Sequence, residues 1–204
     1  MFQPTSIIYL SNKFESLVNS FIENKVGIAE DFLSVSLALN LKNNLETLFS
    51  NDQLHLAGTG NNTVDRSSSF RSDIIHWLDR KHDNEFENLF FDLMDEFIVY
   101  LNESCYAGIK DYEFHYTLYR VGSSYKKHLD QFRNNDSRKF SMIMYLNPDW
   151  KIGDGGELRI FHSGHNQDIS PTNGKTVFFQ SSELEHEVLI TNKPRLSITG
   201  WLKS

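Results

Sequence analysis

Three side chains in the second half of the sequence are of the right type and spacing to hold a metal. His128-Leu129-Asp130 sets an imidazole and a carboxylate two residues apart, and on a β-strand residues i and i+2 share a face. Such triplets arise often by chance, so the pair gains meaning only with a third ligand from a distant strand. His186, in Glu185-His186-Glu187-Val188, is the candidate. Two histidines and one carboxylate leave three positions of an octahedral Fe(II) open to a cosubstrate and O2. Arg195 follows His186 after the turn signal Asn192-Lys193-Pro194, which would return the chain on a neighbouring antiparallel strand. A buried arginine needs an anion, and its planar fork suits a carboxylate. Arg195 beside an iron centre therefore points to a dicarboxylate cosubstrate.

The elements that must position these groups fall into two halves. Phe14, Leu17, Val18 and Phe21 mark one helical face. Leu33, Leu37, Leu41, Leu45 and Leu48 mark a second, and Phe86, Leu89, Phe90, Leu93, Met94, Phe97 and Leu101 a third. Each stripe predicts an amphipathic helix packed on something else. Gly58 to Ser69 is rich in Gly, Asn and Ser and reads as a surface loop; a loop of that length is expected to be mobile and to close over substrate. From about residue 112 the period changes to two. Phe114, Tyr116 and Leu118 alternate with His115, Thr117 and Tyr119, and Phe140, Met142, Met144 and Leu146 with Ser141, Ile143 and Tyr145. Shorter runs follow at Glu157–His162, Thr176–Gln180, His186–Ile190 and Arg195–Leu202, separated by Gly-, Asn- and Pro-containing turns. Helices first and short strands afterwards predict an α+β fold, an antiparallel sandwich or barrel with helices outside.

Composition excludes several classes. The chain has 204 residues with 16 Phe, 8 Tyr and 3 Trp, enough for the core of one domain. A net charge of -7 lacks the basic footprint of a duplex-binding protein, so no nucleic-acid partner is expected. No apolar run is long enough to span a bilayer and the start carries no secretory pattern, so no membrane partner and a cytoplasmic location are expected. Cys105 is the single cysteine and can form neither an internal disulfide nor a cysteine zinc site. At the end of the third helix it is expected to be a small buried residue.

The ordered motifs carry a resemblance. His128-x-Asp130, Met144-Tyr145-Leu146-Asn147-x-Asp149-Trp150, Gly155-Gly156-Glu157-Leu158-Arg159-Ile160-Phe161, His186-Glu187-Val188 and Arg195-x-Ser197-Ile198-Thr199-Gly200-Trp201 resemble the Fe(II)- and 2-oxoglutarate-dependent dioxygenases of the prolyl 4-hydroxylase superfamily. Within it the chain is most similar to HIF-type prolyl hydroxylases and their bacterial relatives. Arg71-Ser72-Asp73-Ile74-Ile75-His76-Trp77 resembles an upstream Arg-Gly-Asp-x-x-x-Trp segment of that group. The implied fold is a double-stranded β-helix, a distorted jelly roll with flanking N-terminal helices. It would form a single domain over 1–204, with a helical flank at 1–111, a mobile loop near 58–73 and the dioxygenase core at 112–203.

The resemblance implies roles residue by residue. His128, Asp130 and His186 would ligate Fe(II), Arg195 and Tyr145 would bind the distal carboxylate of 2-oxoglutarate, and Tyr119 would lie near its metal-bound end. Thr199 and Trp201 would line the cosubstrate pocket. Arg138 would be an entrance arginine that helps hold the substrate, with Asp73 its salt-bridge partner. The implied reaction hydroxylates a prolyl residue of a protein, with O2 consumed, succinate and CO2 released, and ascorbate as a candidate reductant; a translation factor or ribosomal protein is the target suggested by the bacterial relatives. Arg195 stands where collagen-type enzymes carry lysine. The sequence ends three residues after Trp201, and no C-terminal helix is expected to shape a substrate groove.

Other readings stay open. The same cofactor chemistry serves a free amino acid or small metabolite, and a binding or sensor protein keeps the site without turnover. A cupin-like metal hydrolase would need neither Arg195 nor O2. His162 and His165 flank Ser163-Gly164 without a carboxylate at useful spacing and read as a solvated loop.

Overall fold

A computed structural model describes residues 4–58, 70–131 and 135–204, and the backbone alone for 4–11. Residues 59–69 of the expected 58–73 loop lie outside the described residues. Three long helices form where the stripes place them: α1 (Pro4–Asn24), α2 (Val35–Ser50) and α3 (Glu85–Cys105). The side chain of Ser34 caps α2 by accepting from the Leu37 amide, and that of Asn84 caps α3 by accepting from Phe86 and Glu87, which satisfies amides that have no partner in the first turn. Cys105, the last residue of α3, is exposed rather than buried. The apolar stripe has already ended at Leu101, so the last turn faces water.

Eleven strands are described: β1 (Val26–Ala29), β2 (His55–Leu56), β3 (Ile74–Trp77), β4 (Asp111–Tyr119), β5 (Tyr125–His128), β6 (Arg138–Tyr145), β7 (Leu158–His162), β8 (His165–Ile169), β9 (Thr176–Gln180), β10 (His186–Val188) and β11 (Arg195–Lys203). They make two antiparallel sheets, a larger one ordered β1-β9-β6-β11-β4-β3-β2 and a smaller one ordered β5-β10-β7-β8. This is the double-stranded β-helix with flanking helices. Three strands before residue 111 join the larger sheet, so the N-terminal part supplies sheet as well as helix. His162 and His165 pair with each other across the β7–β8 hairpin, their rings stacked at 4.8 Å.

The period of two divides the larger sheet into two buried faces. Phe114, Tyr116, Met142, Met144, Phe178, Ile198 and Leu202 face the helices, joining Leu17, Leu41, Phe90 and Phe97 in one core. The alternate residues face the smaller sheet, where Tyr119, Ile143, Tyr145 and Phe179 pack with Leu158, Ile160 and Val188. Gly200 is required where β11 crosses Phe114, because a Cβ there would lie 2.1 Å from the ring.

Candidate active site

The metal-capable side chains converge from the smaller sheet. His186 opens β10 and lies directly opposite His128 at the end of β5, so strand pairing alone brings the two imidazoles together, with ring centroids 4.3 Å apart. Asp130, two residues beyond His128, reaches back between them: Oδ1 is 3.4 Å from His128 Nε2, and Oδ2 is 3.6 Å from His186 Nε2. His128, Asp130 and His186 are the one group among the described residues whose ligand atoms, three or more, lie within 4.8 Å of one another.

The hydrogen bonds around this group orient its imidazoles. His128 Nδ1 lies 2.7 Å from the Lys126 carbonyl and His186 Nδ1 lies 3.0 Å from the Leu184 carbonyl. A carbonyl only accepts, so both Nδ1 atoms carry a proton and both Nε2 atoms are turned to Asp130. Burial pushes the His186 imidazole below its ordinary value, against the pull of Asp130, which keeps it in the neutral ligand form. Burial disfavours the Asp130 carboxylate, but His186, His128 and the Ser141 hydroxyl outweigh it and hold the group well below the usual carboxylate range. Ser141 Oγ donates to Asp130 Oδ2 at 2.7 Å and contacts Ser181 Oγ at 2.9 Å. Two imidazole Nε2 atoms and a carboxylate converging on one point are the donor set of a divalent cation such as Fe(II).

Arg195 opens β11 on the facing sheet, opposite Tyr119 of β4. It is 1% exposed. Its Nε donates to the Gly156 carbonyl at 2.8 Å, and its guanidinium carbon lies 5.0 Å from the Tyr119 ring centroid and 4.9 Å from that of Tyr145. Among the described residues no carboxylate pairs with it. The buried Tyr145 hydroxyl likewise has no hydrogen-bond partner. Burial raises both tyrosines above their ordinary values, Tyr119 strongly, so each hydroxyl stays a donor. A fully buried cation beside an unmatched hydroxyl donor is a carboxylate site, and the residues present fit a cosubstrate such as 2-oxoglutarate.

Along β11, Arg195, Ser197, Thr199 and Trp201 share the inward face. Thr199 Oγ1 is 3.4 Å from both Thr117 Oγ1 and Ser197 Oγ. Among the described residues the buried Trp201 indole N–H has no hydrogen-bond partner, and the Arg138 guanidinium carbon lies over its ring, 3.4 Å from the centroid. Arg138 opens β6, donates to Glu113 Oε1 at 2.9 and 2.7 Å, and reaches the Asp130 carbonyl at 3.4 Å. Asp73 is not its salt-bridge partner. Asp73 is fully buried and receives Arg71 in a two-point contact at 2.6 and 2.8 Å, because Arg71 is two residues away on the same extended segment.

Several contributing residues were given no role by the motifs. The Arg71 guanidinium sits 4.6 Å over Tyr125, and Tyr125 stacks on the ligand-type ring of His128 at 3.6 Å. Ser141 was legible only through its inward register with Tyr145, four residues on. The Gly156 carbonyl leaves no trace in side-chain patterns, although the paired glycines mark the turn that presents it.

The comparisons with known proteins agree with this geometry. The 2OG-Fe(II) oxygenase superfamily model matches residues 114–203. A prolyl-4-hydroxylase of Pseudomonas putida is 31% identical and superposes with a TM-score of 0.86, covering 94% of this chain and 99% of that one. A prolyl hydroxylase of Trichoplax adhaerens, solved with a peptide of the hypoxia inducible factor oxygen degradation domain, also gives 0.86, over 100% of this chain and 94% of that one; at 23% identity it shows likeness of fold. Human Egl nine homolog 1 is 27% identical over 92% of this chain and 46% of its own length. The chain thus spans about half the length of the curated relatives it matches.

Proposed function

The chain belongs to the 2OG-Fe(II) oxygenase superfamily, in its prolyl hydroxylase group, and on that premise we propose that it hydroxylates a prolyl residue of a protein. One observation carries the reading: a three-ligand centre on the smaller sheet stands with a buried guanidinium on the larger sheet that has no acid partner among the described residues. Fe(II), 2-oxoglutarate and O2 supply the oxidising equivalent for C–H hydroxylation, with succinate and CO2 as coproducts.

The protein's part is placement and exclusion of water. His128, Asp130 and His186 hold the iron, with the carboxylate offsetting part of its charge. Arg195 binds the distal carboxylate of the cosubstrate through its free guanidinium nitrogens, and Tyr145 donates its hydroxyl to the same group. Tyr119 closes the pocket on the metal side, and Thr199 and Trp201 line it. At the entrance Arg138, braced by Glu113 and lying over the Trp201 ring, helps to hold the substrate. Asp73 acts there through Arg71 and the Tyr125 ring. Residues 112–203 form the catalytic core of one domain spanning 1–204.

The prolyl part is supported by the likeness to the Pseudomonas putida enzyme over nearly the whole of both chains. A target in the translation machinery is the one that the family resemblance suggests, and a cytoplasmic setting goes with a metal that must stay reduced. No helix among the described residues is long and apolar enough to cross a membrane. The test is to incubate iron-loaded protein, 2-oxoglutarate and O2 with candidate protein substrates and map oxidation by mass spectrometry. One added oxygen on a proline, matched one to one by succinate, is expected. Oxidation of a free amino acid instead would transfer the reading to a small-molecule dioxygenase, and binding without any turnover would make the protein a sensor.

A further inference from the structure

We propose that Tyr125 is a positioning residue for the metal: its ring is the seat of the ligand His128, and the Arg71–Asp73 pair holds that seat in place. The inference rests on the reading above only for the iron that His128 would bind. The two histidines of the centre are supported in different ways. His186 is 3% exposed and meets Phe179 edge to face at 4.9 Å, so the core between the sheets holds it. His128 ends β5, a strand of four residues whose pairing with β10 shifts register. Its Nδ1 is held by the Lys126 carbonyl, which belongs to the same strand, so that bond fixes the ring only as firmly as β5 itself is fixed. Among the described residues the rings that contact His128 are those of His186 and Tyr125.

The Tyr125 ring lies nearly parallel to that of His128, at 18°, with the centroids 3.6 Å apart. Two neutral rings prefer an offset or edge-on arrangement to such a face-to-face contact. An imidazole that has given its lone pair to a divalent cation is electron-poor, and the π-face of a phenol attracts it as it attracts a cation. The contact therefore suits the metal-bound form of His128. Tyr125 is held in turn. Its backbone bridges to Arg71, and the next amide, that of Lys126, donates to the Phe70 carbonyl at 2.9 Å. The Phe70 ring meets Tyr125 edge to face at 5.8 Å. The Arg71 guanidinium carbon lies 4.6 Å over the Tyr125 ring, and Asp73 accepts from its Nε and Nη2 at 2.6 and 2.8 Å. The guanidinium cannot turn away from the ring without breaking a buried two-point ion pair. The carboxylate also offsets a positive charge that would otherwise compete with the metal-bound imidazole for the π-electrons. A short polar strand thus gains a rigid backing, and the chain of contacts from Asp73 through Arg71 and Tyr125 ends on a metal ligand.

The test measures Fe(II) binding to metal-free protein under anaerobic conditions, by competition with a chelator of known affinity, and then the charge-transfer band that 2-oxoglutarate gives with the bound iron. Neither readout needs a protein substrate or turnover. Tyr125→Phe keeps the ring and should stay within about twofold of wild type. Tyr125→Leu removes the π-face and should lower Fe(II) affinity about 10- to 100-fold, as loss of an outer partner of a ligand does, with the band displaced. Arg71→Lys keeps a cation for Asp73 but loses the planar fork, and should lower the affinity about two- to fivefold. Urea unfolding establishes that each variant is folded in the assay, and Arg71→Lys, which leaves every ring in place, carries the test if Tyr125→Leu does not fold. Wild-type affinity in folded Tyr125→Leu, a loss in Tyr125→Phe as large as that in Tyr125→Leu, or wild-type affinity in Arg71→Lys would each overturn the inference. Failure of the triad itself reads differently, as wild-type iron affinity in Asp130→Ala.

Discussion

The side chain of Arg195 is seated on Gly156: its Nε donates to the Gly156 carbonyl at 2.8 Å while its Cδ would lie only 3.0 Å from a Cβ at that glycine. Gly156 also adopts φ +66, where a side chain is strained, and a Cβ would press on Thr191 Oγ1 at 3.0 Å. Gly156→Ala therefore costs about 1–3 kcal/mol of backbone strain and displaces the guanidinium. We expect 2-oxoglutarate affinity to fall about tenfold while iron affinity holds, since a 1.4 kcal/mol misfit is a factor of ten. Calorimetric titration of the iron-loaded variant checks both.

Arg195→Ala and Asp130→Ala should separate the two halves of the site. Removing the guanidinium takes away charge-assisted hydrogen bonds worth about 1.5–3 kcal/mol each, so 2-oxoglutarate binding should weaken by at least about tenfold with the iron retained. Removing the carboxylate should abolish iron-supported turnover. Anaerobic titration with Fe(II) and then 2-oxoglutarate, followed by visible absorption, reads both steps. A charge-transfer band with unchanged saturation in Arg195→Ala would refute the carboxylate assignment.

Much of this architecture was legible before any coordinates. The strict alternation of β4, β6 and β11 separates Phe114, Tyr116, Ile198 and Leu202 from Thr117, Tyr145 and Arg195, because both faces are buried against different partners. The weak strands were not legible. Tyr125-Lys126-Lys127-His128 and His165-Asn166-Gln167-Asp168 are largely polar, and β2 has two residues; pairing with neighbours makes them strands, and pairing is not a local property. The Arg71–Asp73 contact was missed for a related reason. The motif places Asp73 near the entrance, but a carboxylate takes the nearest correctly oriented guanidinium, and that belongs to its own segment.

Ser141→Ala should leave the fold intact and loosen the metal. Its hydroxyl is the donor that fixes Asp130 Oδ2, at 2.7 Å, and loss of such an outer partner costs about 10- to 100-fold in metal affinity. Fe(II) competition against a chelator of known affinity measures this. An unchanged constant would place the orientation of Asp130 with its histidine neighbours instead.

Asp73→Ala should act on stability before it acts on substrate. It leaves the Arg71 guanidinium largely buried beside Tyr125 without its counter-ion, and breaking a buried pair costs about 3–5 kcal/mol. Burial disfavours the Arg71 charge, and Asp73 outweighs it. Urea unfolding should show the loss at neutral pH. A variant of wild-type stability with an altered KM for the protein substrate would mean that Asp73 works at the entrance and not through Arg71.

Acid should weaken the metal-free fold above the pH at which carboxylates titrate. His115, 1% exposed between Trp77 and Trp201, has its pKa lowered to about 4 by burial and then by the Arg71 charge. Burial lowers His186 in the same direction. A histidine held neutral in the fold takes up its proton on unfolding, so the unfolded state binds more protons below its ordinary value of about 6.5, and stability falls as pH drops. The loss runs from about pH 6.5 to about 4, and for His115 alone it amounts to about 3 kcal/mol. Asp130 adds nothing in that window: its depressed carboxyl contributes stability that is lost only as pH falls below the unfolded carboxylate value of about 3.9. His115→Met removes one titrating group while keeping an apolar filling between the two indoles. Urea denaturation at intervals between about pH 7.5 and 4, the range over which the unfolded histidine takes up its proton, should give a shallower decline for the variant. Parallel slopes for the two proteins would show that His115 protonates without cost, through a water path that its burial excludes.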